Sequence, residues 1–223
     1  MPATRRTLGA LRDEIARRLG FHQQGGQAQA NRLLIEDFVK AAQSELWWML
    51  DFPELRRVAD IPIDNAVDVN GSPQIFWDWP TGCDPRRLHG IRALVTNWWR
   101  PLIKGIEESH DSLTATGYRA YPQRWDDGPQ LEIWPAPDRA YTVRVEYQAL
   151  PAPFVADADP CSIDDELVLL HALVAAKTHY RQEDASVYAS QLAAMIRRFR
   201  AAAHGLNEYD ADRPSPPPMP VRV

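Results

Sequence analysis

The sequence predicts an α+β protein: mainly an α-helical bundle of four helices, with a small antiparallel β domain inserted and an extended Pro-rich C-terminal arm. Three observations predict it. Apolar residues recur at helical spacing near both ends of the chain. Between them the period drops to two. Tyr141, Val143, Val145 and Tyr147 alternate with Thr142, Arg144 and Glu146, the pattern of a half-buried strand. After Gly205 prolines dominate, and a proline run has no helical solution.

Taken in order, Leu8, Leu11, Ile15 and Leu19 share one helical face, with Thr7 as cap and Gly20 as stop. The polar residues 23–26 form a loop. A second helix is expected over residues 27–50, with a stripe of Ile35, Phe38, Ala42, Leu46 and Met49, stopped by Asp51-Phe52-Pro53. Residues 55–61, 74–79, 86–96, 131–134 and 141–147 read as strands. They are separated by turn sequences such as Asn70-Gly71-Ser72-Pro73, Asp127-Gly128-Pro129 and Pro135-Ala136-Pro137-Asp138. Residues 104–112 fit a short helix or a loop equally. A third helix opens at Ser162, with Asp165 completing a capping-box pattern, and runs to Tyr180 with Ile163, Leu167, Leu170 and Val174 inward. After a short turn the fourth helix presents Tyr188, Leu192, Met195 and Phe199, and Arg197, Arg198 and Arg200 suit its C-terminal end. The expected organisation is 1–52 for the N-terminal helices, 53–150 for the β-rich insertion, 151–205 for the helical hairpin and 206–223 for the arm.

Composition narrows the function classes. The 223 residues are 45% hydrophobic and 25% charged, enough for a real core without staples. A net charge of −5 argues against a tight nucleic-acid binder. The first twenty residues carry arginines but no apolar run of the signal-peptide kind, and nothing approaches a membrane span. Cys83 and Cys161 match no metal or redox spacing and read as reduced thiols. Eight tryptophans are far above ordinary usage, and six of them fall between Trp77 and Trp134.

No constellation points to catalysis. Asp157, Asp159, Asp164, Asp165 and His171 lie close in sequence, but acids at 164 and 165 suit a helix start, and His171 and His179 lack the spacing of zinc helices. The sequence has no GxSxG, and Gly25-Gly26 lacks the lysine of a phosphate loop. No cofactor, metal or catalytic residue is therefore expected. Arg5, Arg6, Arg12, Arg17 and Arg18 make the first helix basic, which solvated faces and subunit salt bridges explain. Trp77, Trp79, Trp98, Trp99 and Trp125 are candidates for a subunit or partner interface, since aromatics bury large area at low entropy cost. The same rings, with Trp134, also suit sugar stacking, so a carbohydrate-binding or glycan-degrading accessory protein is the alternative. The tail ends in Met219, Val221 and Val223, which suit either a docking arm or a disordered end.

The order of several motifs resembles the head-to-tail adaptors of short-tailed phages, the connector or tail-tubular-A class. They are Leu11-Arg12-Asp13-Glu14-Ile15 through Gly20, and Ala41-Ala42-Gln43-Ser44-Glu45-Leu46 closed by Trp47-Trp48. Tyr121-Pro122 follows, then Leu131-Glu132-Ile133-Trp134-Pro135-Ala136-Pro137-Asp138 with residues 141–147, then Leu150-Pro151 and Asp157-Ala158-Asp159. The resemblance spans residues 7–204. It implies a structural neck protein without catalytic residues, assembled as a homo-oligomeric ring, typically twelvefold. It implies portal and tail nozzle proteins as partners, and a channel that passes genome DNA without sequence-specific binding or any membrane. The implied location is the virion neck, reached from the host cytoplasm during assembly. An extended arm would grip the portal or a neighbour, and Arg213, Pro217, Met219, Val221 and Val223 are its candidate residues. The tryptophan load and the long proline tail have no counterpart in the family pattern. Another neck or tail-completion protein built on the same helices fits the sequence too.

Overall fold

The computed structural model describes residues 5–21, 27–67, 71–107, 110 and 117–207, with side chains omitted at 27–30 and 203–207. They fall into two units. One comes from Met1–Asp51 with Pro153–Val223, the other from Phe52–Ala152.

The first unit is helical: α1 (Leu8–Arg18), α2 (Gln27–Met49), α3 (Asp165–His179) and α4 (Ala185–Asn207). Helix α3 is its centre. Leu167, Val168, Leu169, Ala172, Leu173 and Ala176 are all fully buried, a helix apolar on nearly every side. Leu8, Leu11 and Ile15 of α1 and Ile35, Val39, Ala42, Leu46 and Trp47 of α2 complete the core. The buried stripe of α2 is shifted from the expected one. Val39, Trp47 and Leu50 go inside, while Phe38 is half-buried and Met49 is 43% exposed. Helix α4 buries none of its described residues completely, and Tyr188, Leu192, Met195 and Phe199 remain half-buried.

Two helix boundaries differ from expectation. The N-cap of α3 is Asp164, whose carboxylate accepts from the Leu167 amide at 2.9 Å. Ser162 instead donates its amide to the buried Gln43 Oε1 at 3.3 Å. Ile163 and Val168, both fully buried, then occupy the two positions of a hydrophobic staple around the cap. Helix α4 runs through Gly205 to Asn207, so one glycine does not outweigh the turns before it.

Among the described residues the second unit holds ten strands: β1 (Arg56–Ile63), β2 (Phe76–Trp77), β3 (Cys83–Val95), β4 (Trp98–Pro101), β5 (Ile103–Lys104), β6 (Arg119–Ala120), β7 (Arg124–Asp127), β8 (Leu131–Trp134), β9 (Ala136–Pro137) and β10 (Tyr141–Ala149). They form a four-stranded sheet in the order β1-β10-β3-β4, a second in the order β2-β8-β7-β5, and the pair β6-β9. The first sheet is antiparallel throughout, and β5-β7 and β6-β9 are parallel pairs. A shared core joins Ile63, Ile91, Ala93, Val143 and Val145 from the first sheet to Trp77, Trp125, Leu131 and Ile133 from the second. The backbone passes from β4 to β5 at Leu102, whose amide returns to the Ile91 carbonyl at 2.9 Å.

This corrects the expected fold class. The ten strands lie in three sheets and make a substantial domain rather than a small insertion on a mainly helical bundle. The strands absent from the sequence reading are short and proline-bordered, too short for a period of two to show, and β5, β6 and β9 pair with residues well away along the chain. Arg119–Ala120, for example, pairs with Ala136–Pro137, inside what the sequence presents as a turn.

Candidate interaction surfaces

The acidic residues around position 157 have a mechanical use. The first three amides of α1, which have no partner within the helix, are all satisfied. Leu8 donates to the Asp159 carbonyl at 3.0 Å, Gly9 to the Asp157 carbonyl at 2.9 Å, and Ala10 to Thr7 Oγ1 at 3.3 Å. Gly9 allows this approach, because a Cβ there would lie 3.2 Å from the Asp157 carbonyl oxygen. The Asp159 carboxylate rigidifies the loop by accepting from the Val155 and Ala156 amides at 2.6 and 2.7 Å. These bonds hold its pKa below the usual carboxylate value.

Arg12 locks the same loop to two helices. Its guanidinium reaches Asp157 at 2.7 and 3.2 Å, Glu36 of α2 at 2.8 Å and Asp13 at 3.1 Å. Arg32 adds a second cation, 2.6 Å from Asp157 and 3.2 Å from Glu36. The hydrogen bonds that Arg12 donates to Asp157 raise the Arg12 pKa and lower that of Asp157. At the start of α3, Arg6 pairs with Glu166 at 2.8 Å and Asp165 at 3.5 Å. The basic first helix thus spends much of its charge on the acids of its own unit. No local motif reveals that Arg12 meets an acidic residue so far along the chain.

No group of three or more His, Cys, Asp or Glu suitable for a metal ion occurs among the described residues. His171 is mostly buried rather than a surface histidine. Its Nε2 lies 3.3 Å from Glu45, its Nδ1 has no partner, and burial lowers its pKa. Burial pushes both cysteine thiols up to about 11. No helix among the described residues is long and apolar enough to cross a membrane.

The tryptophans separate into two groups. Trp77 and Trp125 are core side chains, 8% and 7% exposed. Trp79 packs edge-on to Trp125 and donates its indole N–H to the Gly128 carbonyl at 3.1 Å. Trp99 is half-buried under the Arg144 guanidinium, 4.1 Å above its ring, while Arg144 grips Asp60 at 2.7 and 2.8 Å. Trp98 alone of these five is open, at 75% exposure. It follows a tight hairpin whose two central residues, Thr96 and Asn97, have φ of 48° and 69°, as a two-residue type I′ turn requires. The ring therefore stands at the end of strand β4, which forms an outer edge of its sheet. Arg100 on the same strand lies 5.6 Å from the ring centre of Tyr121. Strand β4 was not expected from the sequence. The Asn97 turn with a following aromatic pair was the available signal. Arg213, Pro217, Met219, Val221 and Val223 lie outside the described residues.

The surfaces on offer are thus a helical unit tied by ion pairs and a β unit with an exposed aromatic edge. Comparison with known proteins gives a family to set beside them. No curated protein matches the chain. The family model described as SU10 adaptor protein matches residues 6–222, through both units. The chain belongs to the SU10 adaptor protein family and is a structural adaptor of a phage, a component of the virion.

Proposed function

We propose that this adaptor forms a homo-oligomeric ring, of twelve copies on the family pattern, that joins the portal protein to the tail nozzle and surrounds the DNA exit channel. The match to the adaptor family over residues 6–222 carries this reading. Two physical features support it. A net charge of −5 suits a passage from which phosphates are released rather than held. An exposed indole at a sheet edge gives a subunit more apolar surface than a monomer needs. The arm residues Arg213, Pro217, Met219, Val221 and Val223 are assigned to the portal or a neighbouring subunit, with proline lowering the entropy lost on docking. The subunit is assembled in the host cytoplasm.

Mass photometry and negative-stain imaging of the full chain, alone and with the matching portal, test the reading. A ring of many copies seated on the portal is expected. A monodisperse monomer in both samples overturns it. Removal of residues 210–223 should leave a folded protein that no longer joins portal-bearing heads, and normal attachment would refute the arm assignment.

A further inference from the structure

Strand directions in the larger sheet carry a consequence for assembly. Each neighbouring pair in the order β1-β10-β3-β4 is antiparallel, so β4 runs opposite to β1. An identically oriented copy placed beside β4 would present its β1 antiparallel to it. The alternation would continue without a break from copy to copy. An odd number of strands would have brought two parallel edges together.

The two edges also match chemically. Both are open: β1 pairs only with β10, and β4 only with β3, among the described residues. Along β1 the residues Arg56, Arg57, Val58, Asp60 and Pro62 are exposed, an unusually long open edge. Each edge carries apolar surface. Trp98 is opposite the buried Val95, which puts it on the core-facing side of the sheet, 75% exposed. Ala59 and Ile61 of β1 lie on that same side, opposite Val145 and Val143, and are only half-buried. On the outer side Val58 of β1 is 55% exposed, and Trp99 lies on that side of β4. Pro62 and Pro101 have no amide to donate, so pairing is confined to the residues before them. That limits the joint to a short ladder in a restricted register and discourages open-ended aggregation.

We propose that the four-stranded sheet is continued between subunits, strand β4 of one copy pairing antiparallel with strand β1 of the next. Such a joint uses two different surfaces of each subunit. It is heterologous, the kind that closes into a ring. It gives backbone hydrogen bonds for affinity and seats Trp98 against Ala59 and Ile61 of the neighbour. The proposal rests on the ring reading above and assigns it one interface.

The test is thiol crosslinking of the full chain assembled with portal, using a short bismaleimide and the double variant Arg57→Cys with Arg100→Cys, two positions on the same, core-facing side of the sheet. Both sites are exposed, and a flexible crosslinker tolerates a register error of a residue or two. The double variant should give a ladder of bands at successive multiples of the subunit mass, and each single variant should stay at the wild-type pattern. Rings seen on the portal by negative stain with no ladder would overturn the sheet joint while leaving the ring intact. A dimer from either single variant would also overturn it, because like edges would then be meeting. Absence of any ring would refute the underlying reading and the joint with it.

Discussion

Replacing Arg12 by Met keeps most of the apolar stem and removes only the guanidinium, so the result isolates the charge network. The Arg12 side chain is 9% exposed, and its partners differ in their access to water. Asp157 and Asp13 are 52% and 53% exposed and rehydrate once the arginine is gone, so they add little. Glu36, 14% exposed, does not rehydrate well. Breaking a buried pair by removing one partner costs about 3–5 kcal/mol, but Glu36 keeps Arg32 at 3.2 Å, which reduces the loss to about 2 kcal/mol. At roughly 2–4 °C per kcal/mol for a chain of this size, the melting temperature should fall by about 4–8 °C. Circular dichroism at 222 nm reads the helical unit directly. The pH dependence supplies a second check. Arg12 holds the Asp157 pKa below the unfolded value, so its stabilisation is complete above about pH 4 and is lost as the pH falls through the folded pKa. The gap between wild type and variant should therefore be constant from pH 7 to 5 and narrow below about 4. A melting change under 1 °C at pH 7, or a gap that widens in acid, would show that the network does not hold the loop.

Four other substitutions probe separate parts of the structure. Gly9→Val places a branched side chain against the Asp157 backbone, already 3.2 Å from an ideal Cβ, and should cost about 1–3 kcal/mol in a thermal melt; an unchanged melting temperature would mean that the loop yields freely. Trp125→Ala should cost about 3–5 kcal/mol in urea unfolding, whereas Trp98→Ala should stay within about 0.5 kcal/mol in the isolated subunit, and equal costs would contradict their placement in core and at edge. Lys177 is 3% exposed and bound to Asp184 at 2.8 Å and Gln182 at 2.6 Å, closing the turn between α3 and α4. Its replacement by Ala should lower stability by about 2–4 kcal/mol, with half-exposed Asp184 rehydrating in part, and a change below about 0.5 kcal/mol would remove the turn from the list of stabilising contacts.

Much of the local structure was legible from residue order alone. Thr7, the apolar spacing of α1 and Gly20 fixed that helix at both ends, because caps and periodicity act over a few residues. The alternation from Tyr141 to Tyr147 marked β10, the strand paired on both sides and so the most regular. The cap of α3 was misread by two residues because Ser162 and Asp164 are both good caps, and the burial of Ile163 decides between them. Strands β4 to β7 and β9 carry two to four residues each, too few for a period to show.

The sequence by itself determined where helices and the principal strands lie, and the order of motifs that marks an adaptor. Those properties depend on neighbours within a turn or two. Only the tertiary structure decided the rest: that the β region is a substantial unit with its own core, that Trp77 and Trp125 are spent inside it while Trp98 is not, and that Arg12 meets Asp157. Each depends on residues tens of positions apart being brought together, and burial and pairing at that range follow from packing rather than from any local pattern.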